Sequence, residues 1–466
     1  MIARVLYSFY KLRMSSIRLT NVNTYDAQRL YLDFDSFFAS AEQHFNPTLR
    51  GRAVGVVPLN APGTGCIAMS REAKALGVPS GATVLAARQM APNMIFVVAR
   101  PDAYVRLHHR ILTAIESCVP IAKVRSIDEV VCHLLPSEAE SAIELARRIK
   151  NTLAREFSDV LTCSIGIART ELLAKIAAEM DKPNGCVFIP DQEMPQKIAH
   201  LSLRDLPGVS KGIESRLHAA NIRSVEALWA TERKQARAIW GSVEGERFWN
   251  ELHGLHIERP PSVKRMFGHS RNLPVDWRTP EKVRECARQL LLSAARRLRR
   301  TEKKASKITV SLRGNDYSAS KFDRSKRLSW VCELPCGPCR DDRALALALN
   351  KGLDQARAEV RFEAKSVSVI IHGLMDENEI QPELFAAPGG TGDQLADVRK
   401  TEKSEQLSAI IDQLRIKHGP SAANFGPKVH LPGGYLGAKI AFGRIPELHD
   451  FGEEQTHDNA THFYSC

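Results

Sequence analysis

Asp33, Asp128 and Glu129 are the residues whose types and setting best suit chemistry. Each stands at the end of an apolar, β-prone run: Leu30-Tyr31-Leu32 leads into Asp33, and Val130-Val131 follows Asp128-Glu129. Two such runs laid side by side as strands would gather the three carboxylates at one edge of a sheet. Carboxylates that close repel one another, and a divalent cation is the natural compensation. Oxygen ligands with no Cys or His nearby favour Mg²⁺ or Mn²⁺ over zinc. Two such ions can clamp a phosphoryl group for in-line displacement. Taken singly, each acid, and Asp35 beside them, reads as an ordinary strand-end or turn carboxylate.

The elements that must position these acids are legible as a strand–helix alternation. Residues 28–35 read as a buried strand, and Ser36 to Gln43 as a helix with a Ser cap, ended by Asn46-Pro47. A strand is expected at Ala53 to Val57, a Pro/Gly loop at Asn60 to Gly65, and a helix from Ile67 to Leu76 closed by Gly77. A strand at Ile95 to Val98 and a helix over Tyr104 to Cys118 follow. Residues 124–134 read as one strand carrying Asp128 and Glu129. Beyond it come a helix (Ala139 to Phe157), a strand (Leu161 to Ile167) and a helix (Glu171 to Met180).

A chain of 466 residues exceeds a single core, and three or four domains are expected. The composition, 44% apolar and 25% charged, is that of a soluble globular protein, and a net charge of +12 points to a polyanionic partner such as nucleic acid. No apolar run approaches the ~20 residues of a membrane span, so no membrane partner is expected. Residues 1–14 have too short an apolar core for a signal peptide, and Met14 is a candidate start. Ten scattered Cys read as reduced thiols, consistent with a cytoplasmic protein.

Four stretches then fall into one pattern: Tyr31–Glu42, Ser70–Gly77, Ser126–Glu129 and Gly166–Gly185. The last contains Leu173-Ala174-Lys175-Ile176-Ala177 and Lys182-Pro183-Asn184-Gly185. In order and spacing they resemble the Y-family DNA polymerases, the translesion group that includes bacterial DNA polymerase IV and UmuC. The resemblance covers roughly residues 28–374. It implies an α+β right-hand fold: palm (28–35 and 98–182), small fingers (36–97), a helix-hairpin-helix thumb (183–250), a linker (251–263) and a βαββαβ little finger (264–374). A 1–27 extension and a flexible 375–466 tail, in which a helix is expected over Leu407 to Ile416, flank it. It further implies that Asp33, Asp128, Glu129 and the Phe34 carbonyl hold two Mg²⁺, and that Lys175 contacts the triphosphate of an incoming deoxynucleotide. Phe38 would be a steric gate against a ribose 2′-hydroxyl, with Phe37 beside it. In the fingers, Arg71 and Lys74 stand where many relatives carry a Tyr and an Arg. The Glu-Ala-Lys-Ala-Leu-Gly run there is closer to the UmuC branch.

DNA contacts are expected from two places. Leu203 to Ser210 leads into a helix as in a helix-hairpin-helix, so Gly208, Ser210 and Lys211 would face a phosphate. Between Lys264 and Arg327 there are 19 Lys or Arg against 6 Asp or Glu, and Arg296, Arg297, Arg299 and Arg300 are candidates for a duplex backbone. Trp229, Trp240 and Trp249 read as core. Cys332, Cys336 and Cys339 copy the spacing of redox or metal motifs without their context, and are expected in a loop between strand and helix. Gln381-Pro382-Glu383-Leu384-Phe385 resembles a sliding-clamp-binding peptide, with Gln381, Leu384 and Phe385 as anchors. The reading is therefore a monomeric translesion polymerase acting on primer-template DNA. A catalytically silent accessory protein binding DNA and the clamp is the rival. A nucleotidyl cyclase on the same palm fold is a second. Retention of the acids and Lys175 argues against the first, and the basic domain against the second.

Overall fold

The computed structural model describes residues 26–59, 61–259, 263–315, 327–380, 392–419, 422–427 and 445, with the side chains of 315, 327 and 392–401 excepted. It divides near residue 260 into two compact units.

In the first unit, β1 (Arg29–Phe34) runs into α1 (Phe37–Phe45) through Ser36, which adopts a left-handed φ of 54°. Ser36 was expected to cap this helix, but its side chain makes no cap bond. Next come β2 (Val54–Val57), β3 (Ala68–Met69), α2 (Arg71–Ala75), α3 (Val84–Met90) and β4 (Ile95–Val98). The expected helix over 67–76 is thus half strand: Ala68 and Met69 pair with Val56 and Gly55, and Ser70 caps the short helix that follows. These strands form a three-stranded sheet in the order β3-β2-β4, around a core that includes Met69, Val84 and Phe96.

The chain continues through α4 (Pro101–Glu116), β5 (Ile121–Val124), β6 (Glu129–His133), α5 (Pro136–Glu140), α6 (Ala142–Glu156), β7 (Cys163–Ala168), α7 (Glu171–Met180) and β8 (Cys186–Phe188). The single strand expected over 124–134 is a hairpin, in which the Arg125 N–H donates to the Glu129 carbonyl and Asp128 lies in the turn. The helix expected over 139–157 is broken at Ser141. Strands order as β5-β6-β1-β7-β8, with β1 central and antiparallel to both neighbours. Its near-continuous apolar run follows from burial on both faces. α7 lies directly on β7, and only a residue without a side chain fits between them. A Cβ on Gly166 would stand 1.9 Å from the Ala174 carbonyl oxygen.

Four helices complete this unit: α8 (Lys211–Ala219), α9 (Val225–Trp229), α10 (Arg233–Trp240) and α11 (Val243–Leu252). They share a core with Tyr31, Leu173 and Ile176. Trp240 stacks on Phe248, and Trp229 and Trp249 stack on His253, so the three indoles pack within the unit.

The second unit runs β9 (Met266–Asn272), α12 (Pro280–Arg299), β10 (Lys304–Asn315), β11 (Arg327–Cys339), α13 (Asp342–Glu359) and β12 (Glu363–Met375). The antiparallel sheet orders as β11-β10-β12-β9, and Ala364, Val367, Val369 and Ile371 of β12 alternate inward beneath both helices. The Cys332–Cys339 stretch, expected as loop, belongs to β11. An edge strand tolerates Pro335 and Pro338, whose missing N–H groups would break an interior ladder.

In the tail, the helix expected over Leu407 to Ile416 forms within the longer α14 (Gly392–His418), and its described half packs on this unit rather than staying flexible. Asp412 pairs with Arg299, Glu405 with Arg340, and the Ser408 hydroxyl accepts from the Asp342 N–H. Among the described residues, no helix is long and apolar enough to cross a membrane.

Candidate active site

The central sheet brings the predicted acids to one edge through register. Asp33, near the end of β1, is the direct cross-strand partner of Glu129, the first residue of β6. The Phe34 N–H donates to the Asp128 carbonyl at 2.9 Å, which fastens the hairpin turn beside Asp33. The Ser126 hydroxyl donates to Asp128 Oδ1 at 2.5 Å.

Their carboxylate groups do not converge on one another. Lys182 Nζ lies 2.7 Å from Asp33 Oδ1, and Lys175 Nζ lies 2.5 Å from Glu129 Oε1 and over the Tyr31 ring. Among the described residues, no three His, Cys, Asp or Glu side chains are gathered as a metal site. Two ammonium groups therefore hold the positions beside the acids. Lys175 was expected to face a triphosphate; Lys182 had no assigned role. Lys175 is on α7, whereas Lys182 lies in the turn after that helix ends at Met180, so helical spacing does not relate the two.

Burial dominates the electrostatics. It pushes the Asp33 carboxyl up to about 7, against the pull of the Lys182 ammonium, and it raises Asp128. Burial also works to raise Glu129, but the Lys175 ammonium outweighs it and holds that carboxyl below its usual range. Burial and the nearby Glu129 both push the Tyr31 phenol up, so it stays a neutral donor. The donors are hard carboxylate oxygens, the type that Mg²⁺ or Mn²⁺ takes, but in this structure Lys182 and Lys175 stand against Asp33 and Glu129 where a cation would have to enter. Asp35 is not part of this set. It accepts from Thr162, Ser164 and the Asn184 N–H, which ties β1 to β7 and to the loop carrying Lys182.

Phe38, on the first turn of α1, is half-buried and stacks on Tyr104 with ring centroids 4.6 Å apart and 16° between planes. Tyr104 donates to Glu42 at 2.7 Å, and Arg100 forks onto the same carboxylate at 3.0 and 2.5 Å. That buried network, absent from the sequence-based expectations, fixes the ring beneath Phe38. Phe37, beside it, is less exposed. Its ring is buried against Phe34 and packs rather than facing a ligand. Arg71 and Lys74 sit on α2, Arg71 half-exposed and Lys74 exposed.

Of the DNA candidates, Gly208 takes a left-handed φ of 94° at the turn before α8, Ser210 caps that helix, and Lys211 is exposed. The α12 arginines are mostly corrections. The Arg299 side chain is 9% exposed and bonded to Asp342 and Asp412, and Arg297 donates to the Gly268 carbonyl. Arg296 faces Asp412 at 3.8 Å, leaving Arg300 as the exposed member. A charge count along the sequence could not show that Arg296 and Arg299 face acids far along the chain. Gln381, Leu384 and Phe385 lie outside the described residues.

Comparison with solved structures places this architecture in the Y-family polymerase class of folds. A Y-family DNA polymerase chimera, Dbh-Dpo4(243-245)-Dbh, superposes with a TM-score of 0.61 at 22% identity, covering 75% of this chain and 99% of that one. Residues 32–179 match the impB/mucB/samB family, and residues 264–384 match that family's C-terminal domain. The DNA polymerase IV of Pelotomaculum thermopropionicum is 31% identical over 62% of this chain and 73% of its own length. That of Moorella thermoacetica is 28% identical over 90% of this chain and 98% of its own. The chain belongs to the impB/mucB/samB family of Y-family DNA polymerases.

Proposed function

We propose that this DNA-directed DNA polymerase extends primers across damaged templates by two-metal-ion nucleotidyl transfer. The observation that carries the reading is the pairing of Asp33 with Glu129 across β1 and β6, each acid held by a lysine of one motif.

Asp33, Asp128, Glu129 and the Phe34 carbonyl would hold the two Mg²⁺ or Mn²⁺. Bound there, the ions supply the acidity of the primer 3′-hydroxyl and neutralise the charge developing on the triphosphate. The protein's own groups do the remainder. Lys175 and Lys182, released from the acids, carry positive charge toward the triphosphate, and Arg71 and Lys74 offer more from α2. Phe38, backed by Tyr104, excludes a 2′-hydroxyl. Gly208, Ser210, Lys211 and Arg300 would track phosphates without reading bases. The 381–385 peptide would dock on a sliding clamp. Phosphate contacts that read no bases suit a template with a distorted base.

The test is primer extension on undamaged and lesion-bearing templates with Mg²⁺, for the wild type and for Asp128→Ala and Glu129→Ala. Wild-type bypass is expected, with loss on the order of 10³-fold or more in both variants and DNA affinity kept. Near-normal extension by both variants would overturn the metal assignment. A wild type that copies only intact template would overturn the translesion role.

A further inference from the structure

β11 carries three cysteines, and its irregularity decides which of them meet. In a regular strand, residues three apart point to opposite faces. Here Trp330, Cys332, Leu334 and Cys336 alternate inward, and the pattern would send Cys339 outward. Instead the register slips between Ala305 and Lys307: Pro335 pairs with Lys307, yet Cys339 pairs with Ala305. Gly337, at φ 65° with open space around it, takes the left-handed turn that the two extra residues of β11 require. The bulge therefore returns Cys339 to the same inner face as Cys336. Cys339 is 4% exposed within the domain core, and Cys336 is half-buried against that core. The Cys336 thiol donates to the carbonyl of Ala305, the residue that pairs with Cys339. Cys332 is drawn away, bonding to Gln355 of α13.

We propose that Cys336 and Cys339 form a redox-active dithiol that closes to an intramolecular disulfide by exchange with small-molecule disulfides. The two thiols differ as attacking and resolving thiols should. Hydrogen bonding with Cys339 holds the Cys336 thiol below its ordinary value, and the same contact pushes Cys339 up. Cys336 thiolate attacks one sulfur of glutathione disulfide; a Cys336–glutathione bond forms, the S–S bond breaks, and one glutathione leaves as thiolate and takes a proton. Capping Cys336 removes the contact that held the Cys339 proton. Cys339 then loses that proton and attacks Cys336 Sγ, and the second glutathione departs with it. Two protein thiols are oxidised by two electrons, and one disulfide is reduced to two thiols. The inference is independent of the polymerase reading.

The experiment uses the full chain, equilibrated at pH 7 across a series of reduced-to-oxidised glutathione ratios. Acid quenching, alkylation and peptide mass mapping follow. Expected is a Cys336–Cys339 link with loss of two hydrogens, abolished by Cys336→Ser and retained, at the same midpoint ratio, in Cys332→Ser. Under reducing conditions Cys336 should alkylate about 10-fold faster than Cys332. A lasting glutathione adduct on Cys336, a link to Cys332, or two free thiols in the most oxidising buffer would each overturn the proposal. Mapping of the wild type decides this even if Cys336→Ser does not fold.

Discussion

Phe38 illustrates what one side chain can and cannot reveal. Its stacking on Tyr104 gives it a fixed position, and the Glu42–Arg100 fork beneath fixes Tyr104 in turn. Phe38→Ala should therefore raise ribonucleotide incorporation far more than it lowers deoxynucleotide use. The loss of the stacked pair should cost about 1 kcal/mol of stability beyond the buried area. Steady-state discrimination between the two sugars checks this, and an unchanged ratio would make the ring mere packing. Asp33 supports a prediction about pH in the metal-free protein. Its folded carboxyl is raised to about 7 from 3.8, so between these values the folded state keeps a proton that the unfolded state releases. For this group stability falls as pH rises through that window, and the full penalty stands above pH 7. Asp33→Asn should then raise the melting temperature in chelator at pH 8, with the gain shrinking toward pH 5. A gain independent of pH would show that the ionised acid is not the destabilising species.

At the scale of elements, segments whose own sequence dictates their structure were legible. β4 (Ile95–Val98) and α7 (Glu171–Met180) have the boundaries read from sequence. The juxtaposition of Asp33 and Glu129 was legible for the same reason, since each ends such a run. Illegible were elements made by partners. β3 is two residues long and exists because β2 is beside it. β11 contains Gly-Pro turn signals that an edge position and a bulge absorb. The lysine counter-ions and the Glu42 network likewise join residues distant in sequence. The packing of α7 on β7 is the element contact with the least tolerance. Gly166→Ala would force a Cβ into the Ala174 carbonyl, and the helix carrying Lys175 would have to move. Overpacking of this kind costs typically ~1–3 kcal/mol, and backbone contact places this case at the upper end. Thermal denaturation should show the loss, together with a fall in nucleotide addition. A variant of normal stability and activity would mean the two elements can separate freely.

At the scale of the molecule, the basic composition divides into two uses. Some of its cations are exposed, as Lys211, Lys74 and Arg300 are, and some are spent internally, as Arg299 and Arg340 are, against acids of α13 and α14. Burial would lower the Arg299 guanidinium, but Asp412 and Asp342 outweigh it. Removing residues 392–466 should leave Arg299 and Asp342 with fewer partners and open the α13 end. The second unit should lose on the order of 3–5 kcal/mol, the range seen when one side of a buried ion pair is deleted. Chemical denaturation of the full and shortened chains measures it, and equal midpoints would show the helix to be an ornament.

α14 also bears on how mutations in this gene are to be interpreted. The family match ends at residue 384, whereas the ion pairs that close the second unit reach Asp412. A nonsense or frameshift lesion after Phe385 and before Asp412 leaves the sequence motifs intact and still removes ion pairs that close the domain. Its phenotype would be one of protein abundance, through degradation of a loosened chain, and complementation tests would score as a null allele a sequence that retains Asp33, Asp128, Glu129, Lys175 and Lys182.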